Sequence, residues 1–139
     1  MTDPISLDDH AVMTVASISR AMYPHDTLPD EVYARVAAKL AEAAGEDAAA
    51  ATLISTALST LSADDHLLEL PEEVRLTTVA SEAGTEFFNL VRSLAVVEVY
   101  SDTRTWELCG YEGPSFDKGG YLTRGFNDLD WLPDPEDEP

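Results

Sequence analysis

Over the first hundred residues apolar side chains recur at spacings of three and four, the period of a helix that buries one face. Leu7, Ala11, Val15, Ile18 and Met22 form the first such face. Ser6 with Asp9 three residues later reads as a capping box at its start, and Pro24 stops it. Thr27 or Asp26 is the expected cap of a second helix, with Asp30 and Glu31 in its first turn. Val32, Val36, Leu40 and Ala44 line that helix, and Gly45 stands where a left-handed residue closes a helix. An alanine-rich third helix is expected from about Asp47 to Leu61, with Ala51, Ile54, Leu58 and Leu61 inward. Pro71 starts a fourth. Gly84 interrupts the pattern, and Thr85 caps a fifth helix from Glu86 to about Tyr100. That segment is apolar nearly all round, which predicts burial on most sides and a central place in the bundle. Val96 to Tyr100 also carries strand propensity. Thr103 is a candidate cap for one more turn through Trp106 and Leu108.

Beyond Tyr100 the pattern changes. Seven of the eleven aromatic residues and five of the seven glycines fall between Tyr100 and Pro133. From Trp106 the aromatics come every fifth residue: Trp106, Tyr111, Phe116, Tyr121, Phe126 and Trp131. That period fits neither a helix face nor a strand face. Gly110, Gly113, Pro114, Gly119, Gly120 and Gly125 break any long regular element. The expected architecture is all-α: a small helical bundle of about five helices (1–103) with an extended, glycine- and aromatic-rich C-terminal arm and acidic tail (104–139) in the same domain.

Charge narrows the partners. Acidic residues outnumber basic ones by 27 to 8, a formal net charge of -19 over 139 residues. Nucleic acid is excluded as a direct ligand, because binding it requires Lys and Arg to neutralise phosphates. An anionic membrane surface is disfavoured for the same reason. The opening MTDPISLDD has no basic region and no apolar run, and no stretch approaches a membrane span, so a cytoplasmic chain without membrane insertion is expected.

No catalytic constellation can be assembled from the residue spacings. His10, His25 and His66 lie in three different segments without a second ligand at helical spacing. Cys109, the single cysteine, follows Glu107 at the end of a helical turn, an environment that does not favour a thiolate. The glycine pairs of the arm follow no strand and open no helix, so they form no phosphate cradle. No catalytic, metal-binding or cofactor-binding residue is expected in this chain. Aromatic residues are the usual anchors of protein interfaces. Trp106, Tyr111, Phe116, Tyr121, Phe126 and Trp131 are therefore the candidate partner-binding residues. The competing expectation for the arm is that it folds back over the bundle. Both can hold, with Trp106 and Tyr111 inward and Phe126 and Trp131 outward.

The string Thr105-Trp106-Glu-Leu-Cys-Gly110-Tyr111-Glu-Gly113-Pro114-Ser115-Phe116 resembles the C-terminal signature of the gluconate 2-dehydrogenase subunit 3 family. The similarity continues through Gly119-Gly120-Tyr121-Leu122 and Gly125-Phe126-Asn-Asp128-Leu-Asp130-Trp131-Leu132-Pro133. It also takes in the preceding helix that ends in Val99-Tyr100-Ser101-Asp102, and so spans roughly residues 86 to 133. The resemblance implies a non-catalytic small, or gamma, subunit. FAD and the catalytic histidines would belong to a large partner subunit of the glucose–methanol–choline oxidoreductase type, acting on sugars or related alcohols. The small subunit would bind that partner and assist its folding or maturation. Members of the family often carry a twin-arginine leader. None is seen here, and a periplasmic location is expected instead of a cytoplasmic one if such a leader has been removed. The alternative to this reading is a free-standing acidic helical adaptor or inhibitor of a basic protein.

Overall fold

A computed structural model of the chain describes residues 6–63 and 67–122, with the backbone alone at 62 and 63. The described residues form six α-helices and one 3-10 turn, with no strand among them. The helices are α1 (Asp9–Met22), α2 (Asp30–Glu46), α3 (Ala48–Ala63), α4 (Glu72–Ser81), α5 (Glu86–Tyr100) and α6 (Thr103–Cys109); the 3-10 turn is Phe116–Lys118. The fold is all-α, as the periodicity predicts, and the strand propensity of Val96 to Tyr100 is overridden by helix.

Helix starts follow local chemistry, with shifts of one to three residues from the sequence expectation. Asp8, not Ser6, caps α1 by accepting a hydrogen bond from Ala11 N at 2.8 Å. A carboxylate there also meets the positive end of the helix dipole, which favours it over a hydroxyl. Neither Asp26 nor Thr27 caps α2. Pro29 occupies the cap position without a side-chain bond, and Asp30 and Glu31 supply the negative charge of the first turn. Thr85 caps α5 as expected, accepting from Phe88 N at 3.2 Å.

Gly45 does not close α2. The helix runs through it to Glu46, and Gly45 is absent from the positive-φ glycines. Asp47 makes the break instead, with an extended backbone. Its carboxylate accepts from Ala49 N at 3.0 Å and from Ala50 N at 3.4 Å, which starts α3 immediately. A side chain that captures the next helix's free N–H groups ends the previous helix without a left-handed residue. A Cβ at Gly45 would meet nothing within 4 Å. Gly45→Ala is therefore expected to stabilise the fold by about 0.5–1 kcal/mol through the unfolded chain's lost freedom. A urea titration of the two proteins checks the sign; destabilisation would mean that Gly45 is needed as the helix terminator after all.

The core sits around α2, which packs against α1, α3 and α5. Val32, Val36, Leu40 and Ala44 are all buried along it, on the predicted face. The central place therefore belongs to α2 and not to α5. On α5 only the stripe Phe87, Val91, Ala95 and Val99 is buried, and Val96 and Val97 face solvent at 39% and 58% exposure. Hydrophobicity all round the helix is not burial all round, because α1, α2, α3 and α6 cover only part of its surface. α4 is the outlier: among the other helices it packs on α1 alone.

A second, smaller cluster, Leu28, Val32, Tyr33 and Val99, closes the end of the bundle where α1 turns into α2 and α5 ends. Arg20 ties that end together. Its guanidinium donates to the carbonyls of His25 at 3.0 Å and Leu28 at 2.8 Å, pairs with Asp30 at 2.7 Å, and lies 4.3 Å from the centre of the Tyr33 ring.

Candidate functional site

The arm leaves the bundle through a turn whose geometry is set by Asp102. This residue is 6% exposed and caps α6, accepting from Arg104 N at 2.8 Å. Thr103, the predicted cap, lies inside the helix it was expected to start. Asp102 is also gripped by two arginines from different parts of the chain. Arg104 makes a forked pair, Nε to Oδ1 and Nη2 to Oδ2, both at 2.9 Å. Arg35 of α2 reaches Oδ2 at 2.8 Å and the carbonyl of Glu98 at 3.1 Å. Hydrogen bonding to Arg104 is the main reason that the Asp102 carboxyl is held down at about 2, with Arg35 adding to it. The network clamps the end of α5 and the start of α6 to the middle of the bundle.

Trp106 is the first of the evenly spaced aromatics, and it is anchored. Its indole N–H donates to the carbonyl of Tyr100 at 2.7 Å, closing α6 back onto the end of α5. Tyr111 lies edge-on to it, ring centres 5.3 Å apart. Two glycines make that fold-back possible. Gly110 ends α6 with φ of 72°, and Gly113 has φ of 89°. A Cβ at Gly113 would lie 3.4 Å from Trp106 Cζ3. Trp106 and Tyr111 are thus packed on each other, and Tyr111 keeps 44% of its surface exposed, so it is not buried against the bundle.

The next aromatics are presented outward. After Ser115 the 3-10 turn folds on that residue's carbonyl, which accepts from Lys118 N at 3.0 Å and Gly120 N at 2.8 Å. Phe116 is 96% exposed, Tyr121 53% and Leu122 86%. Phe126 and Trp131, the remaining candidates, lie outside the described residues, as do His66 and the acidic tail. Among the six candidates the structure therefore brings two together and leaves two bare.

A ring cluster that sequence reading missed stands behind the anchored pair. Tyr100 Oη lies 2.9 Å from His25 Nε2, and its ring meets those of Tyr23 and His25 edge-on at 5.7 and 5.6 Å. Burial first, then Cys109 and Tyr23, push the Tyr100 phenol above its ordinary value. Tyr33 Oη donates to the carbonyl of Tyr23 at 2.7 Å. The contacts link residues 75 positions apart, so no local motif announces them. Among the described residues no group of three His, Cys, Asp or Glu side chains converges as metal ligands would. No helix among them is long and apolar enough to cross a membrane.

The arrangement offers a rigid stem, from Asp102 to Gly113, that carries an exposed apolar tip, from Phe116 to Leu122. Comparison of the chain with protein-family models, with curated proteins and with solved structures finds no match in any of the three.

Proposed function

We propose that this chain is a non-catalytic subunit that holds a larger protein through its C-terminal arm. Following the resemblance of residues 86 to 133, the partner is a large FAD-dependent oxidoreductase of the glucose–methanol–choline type acting on sugars or related alcohols, which this chain stabilises or helps to mature. The observation that supports a docking role is the exposure of Phe116, Tyr121 and Leu122 on a segment whose backbone is turned by Gly113, Gly119 and Gly120. Large apolar side chains held in water contribute little to the free protein, whereas aromatic anchors dominate binding energy at interfaces. A stem fixed before binding also lowers the ordering cost of association. FAD would be held by the partner, with no cofactor site in this chain.

The test is expression of the tagged chain in its own organism, followed by purification and an absorbance spectrum. A larger protein with a flavin spectrum is expected to co-purify. Phe116→Ala with Tyr121→Ala is expected to weaken its retention at least tenfold, since anchor side chains are worth about 2 kcal/mol or more each. A colourless protein that acquires no partner would overturn the reading.

A second reading rests on the net charge of -19: an acidic adaptor or inhibitor of a basic protein. It predicts that binding falls steeply with added salt and is indifferent to the two alanine substitutions.

A further inference from the structure

Because α4 leans on α1 and makes no close approach to α3 or α5, a space remains between it and those two helices. That space is a cavity of about 370 Å³, within the range of small-molecule sites. Its floor is formed by the buried side chains Ile18, Leu67, Val79 and Phe87. Apolar cavities of only about 150 Å³ already take up small apolar guests, because the empty space forfeits packing contacts that a guest restores. None of the lining residues belongs to the arm, so the site is independent of the docking role proposed above.

The mouth has a definite sign. Glu82 and Glu86 line the cavity and are exposed, and no Lys, Arg or His is among the described residues that line it. Neither carboxylate is ion-paired among the described residues. Glu86 belongs to the first turn of α5, where a negative charge is favoured. Glu82 is the opposite case. It caps the C-terminal end of α4, which has no basic residue in its last turn. There the carboxylate adds to the negative end of the helix dipole, and a cation beside it would relieve both. The hydroxyls of Thr60 and Thr78, which also line the cavity, donate to carbonyls of their own helices at 3.0 and 2.8 Å.

We propose that this cavity binds a small amphiphile whose apolar body lies on Val79 and Phe87 and whose cationic amine head sits between Glu82 and Glu86. The chemistry selects an alkylamine or arylalkylamine, which is protonated at neutral pH, over the matching acid.

Calorimetric titration of the full chain with decylamine, decanol and decanoate tests this. Saturable decylamine binding is expected, at least tenfold tighter than decanoate, with decanol between them. Glu82→Gln with Glu86→Gln, both at exposed positions, should abolish the preference for the amine and leave decanol binding in place. Ala57→Trp, which fills the cavity from α3, should block all three ligands in a protein that still melts cooperatively. Absence of saturable decylamine binding would overturn the proposal. So would equal affinity for decanoate, or an amine preference that survives the double glutamine variant. Decylamine binding that appears only in a chain cut after Leu122 would assign the cavity to the chain's own C-terminal segment, and would overturn it too.

Discussion

Arg20→Ala is expected to destabilise the fold by about 3 kcal/mol, although Arg20 is neither part of the core nor fully buried. Its side chain is 29% exposed, and the Asp30 it pairs with is 92% exposed, so that ion pair contributes little. The effect comes from the other contacts. The guanidinium satisfies two carbonyls, those of His25 and Leu28, where α1 turns into α2. Hydrogen bonds to a charged donor are worth about 1.5–3 kcal/mol each when well shielded, and here about half of that after partial exposure. Stacking over Tyr33 at 4.3 Å adds about 1 kcal/mol. Arg20→Lys should recover the charge and not the fork, and so fall between the two. A distinctive readout accompanies the stability change. Burial raises the Tyr33 phenol and the nearby Arg20 charge pulls it back down. Removal of Arg20 should therefore shift the Tyr33 titration further upward in an ultraviolet pH scan. A melt indistinguishable from the parent protein would show that the turn between α1 and α2 holds without its cross-brace.

The second large effect is at Asp102. Asp102→Ala removes the α6 cap, the Arg104 fork and the Arg35 bridge together. The carboxyl is held at about 2 against an ordinary value of 3.8. At 1.36 kcal/mol per unit, that difference corresponds to about 2 kcal/mol of stability at neutral pH. The sign follows from the depressed value. The contribution is fully present above the unfolded carboxyl's range near pH 4, and is lost as pH falls toward 2. The parent and Asp102→Ala should therefore differ by about 3 kcal/mol in urea unfolding at pH 7, about 2 from the charge and about 1 from the cap, with the gap narrowing as pH drops from 4 to 2. Asp102→Asn separates the parts, since asparagine caps a helix about as well as aspartate and carries no charge. It should lose the charge-linked share of about 2 kcal/mol and keep the cap's share of about 1 kcal/mol. A gap that stays constant down to pH 2 would show that the arginines contribute nothing through Asp102. Because α6 and the stem of the arm hang on this residue, Asp102→Ala should also weaken partner retention without touching Phe116 or Tyr121.

The elements themselves were legible along the chain. Helical spacing located α2's buried face at Val32, Val36, Leu40 and Ala44, and Pro71 and Thr85 marked the starts of α4 and α5. Misplaced boundaries had local causes. Asp8 and Asp102 outcompeted Ser6 and Thr103 as caps, and Asp47 took over the chain break that Gly45 was expected to make. The even five-residue spacing of the arm's aromatics concealed two different fates. Trp106 and Tyr111 pack on one another because Gly110 and Gly113 bend the chain back, while Phe116 and Tyr121 remain in water.

What the sequence determined by itself was the all-helical class, the inward face of α2 and the concentration of aromatics and glycines after Tyr100. The first two are carried by side chains within about four residues of one another along the chain, through helix spacing and caps, and the third by composition alone. Only the tertiary structure decided that α2 and not α5 is central, that Arg35 reaches across 63 positions to the end of α5, and that α4 stands away from α3 and α5 over an apolar cavity. Those outcomes depend on which helix faces meet in space. A hydrophobic stripe specifies that it will be buried, and not which neighbour will bury it.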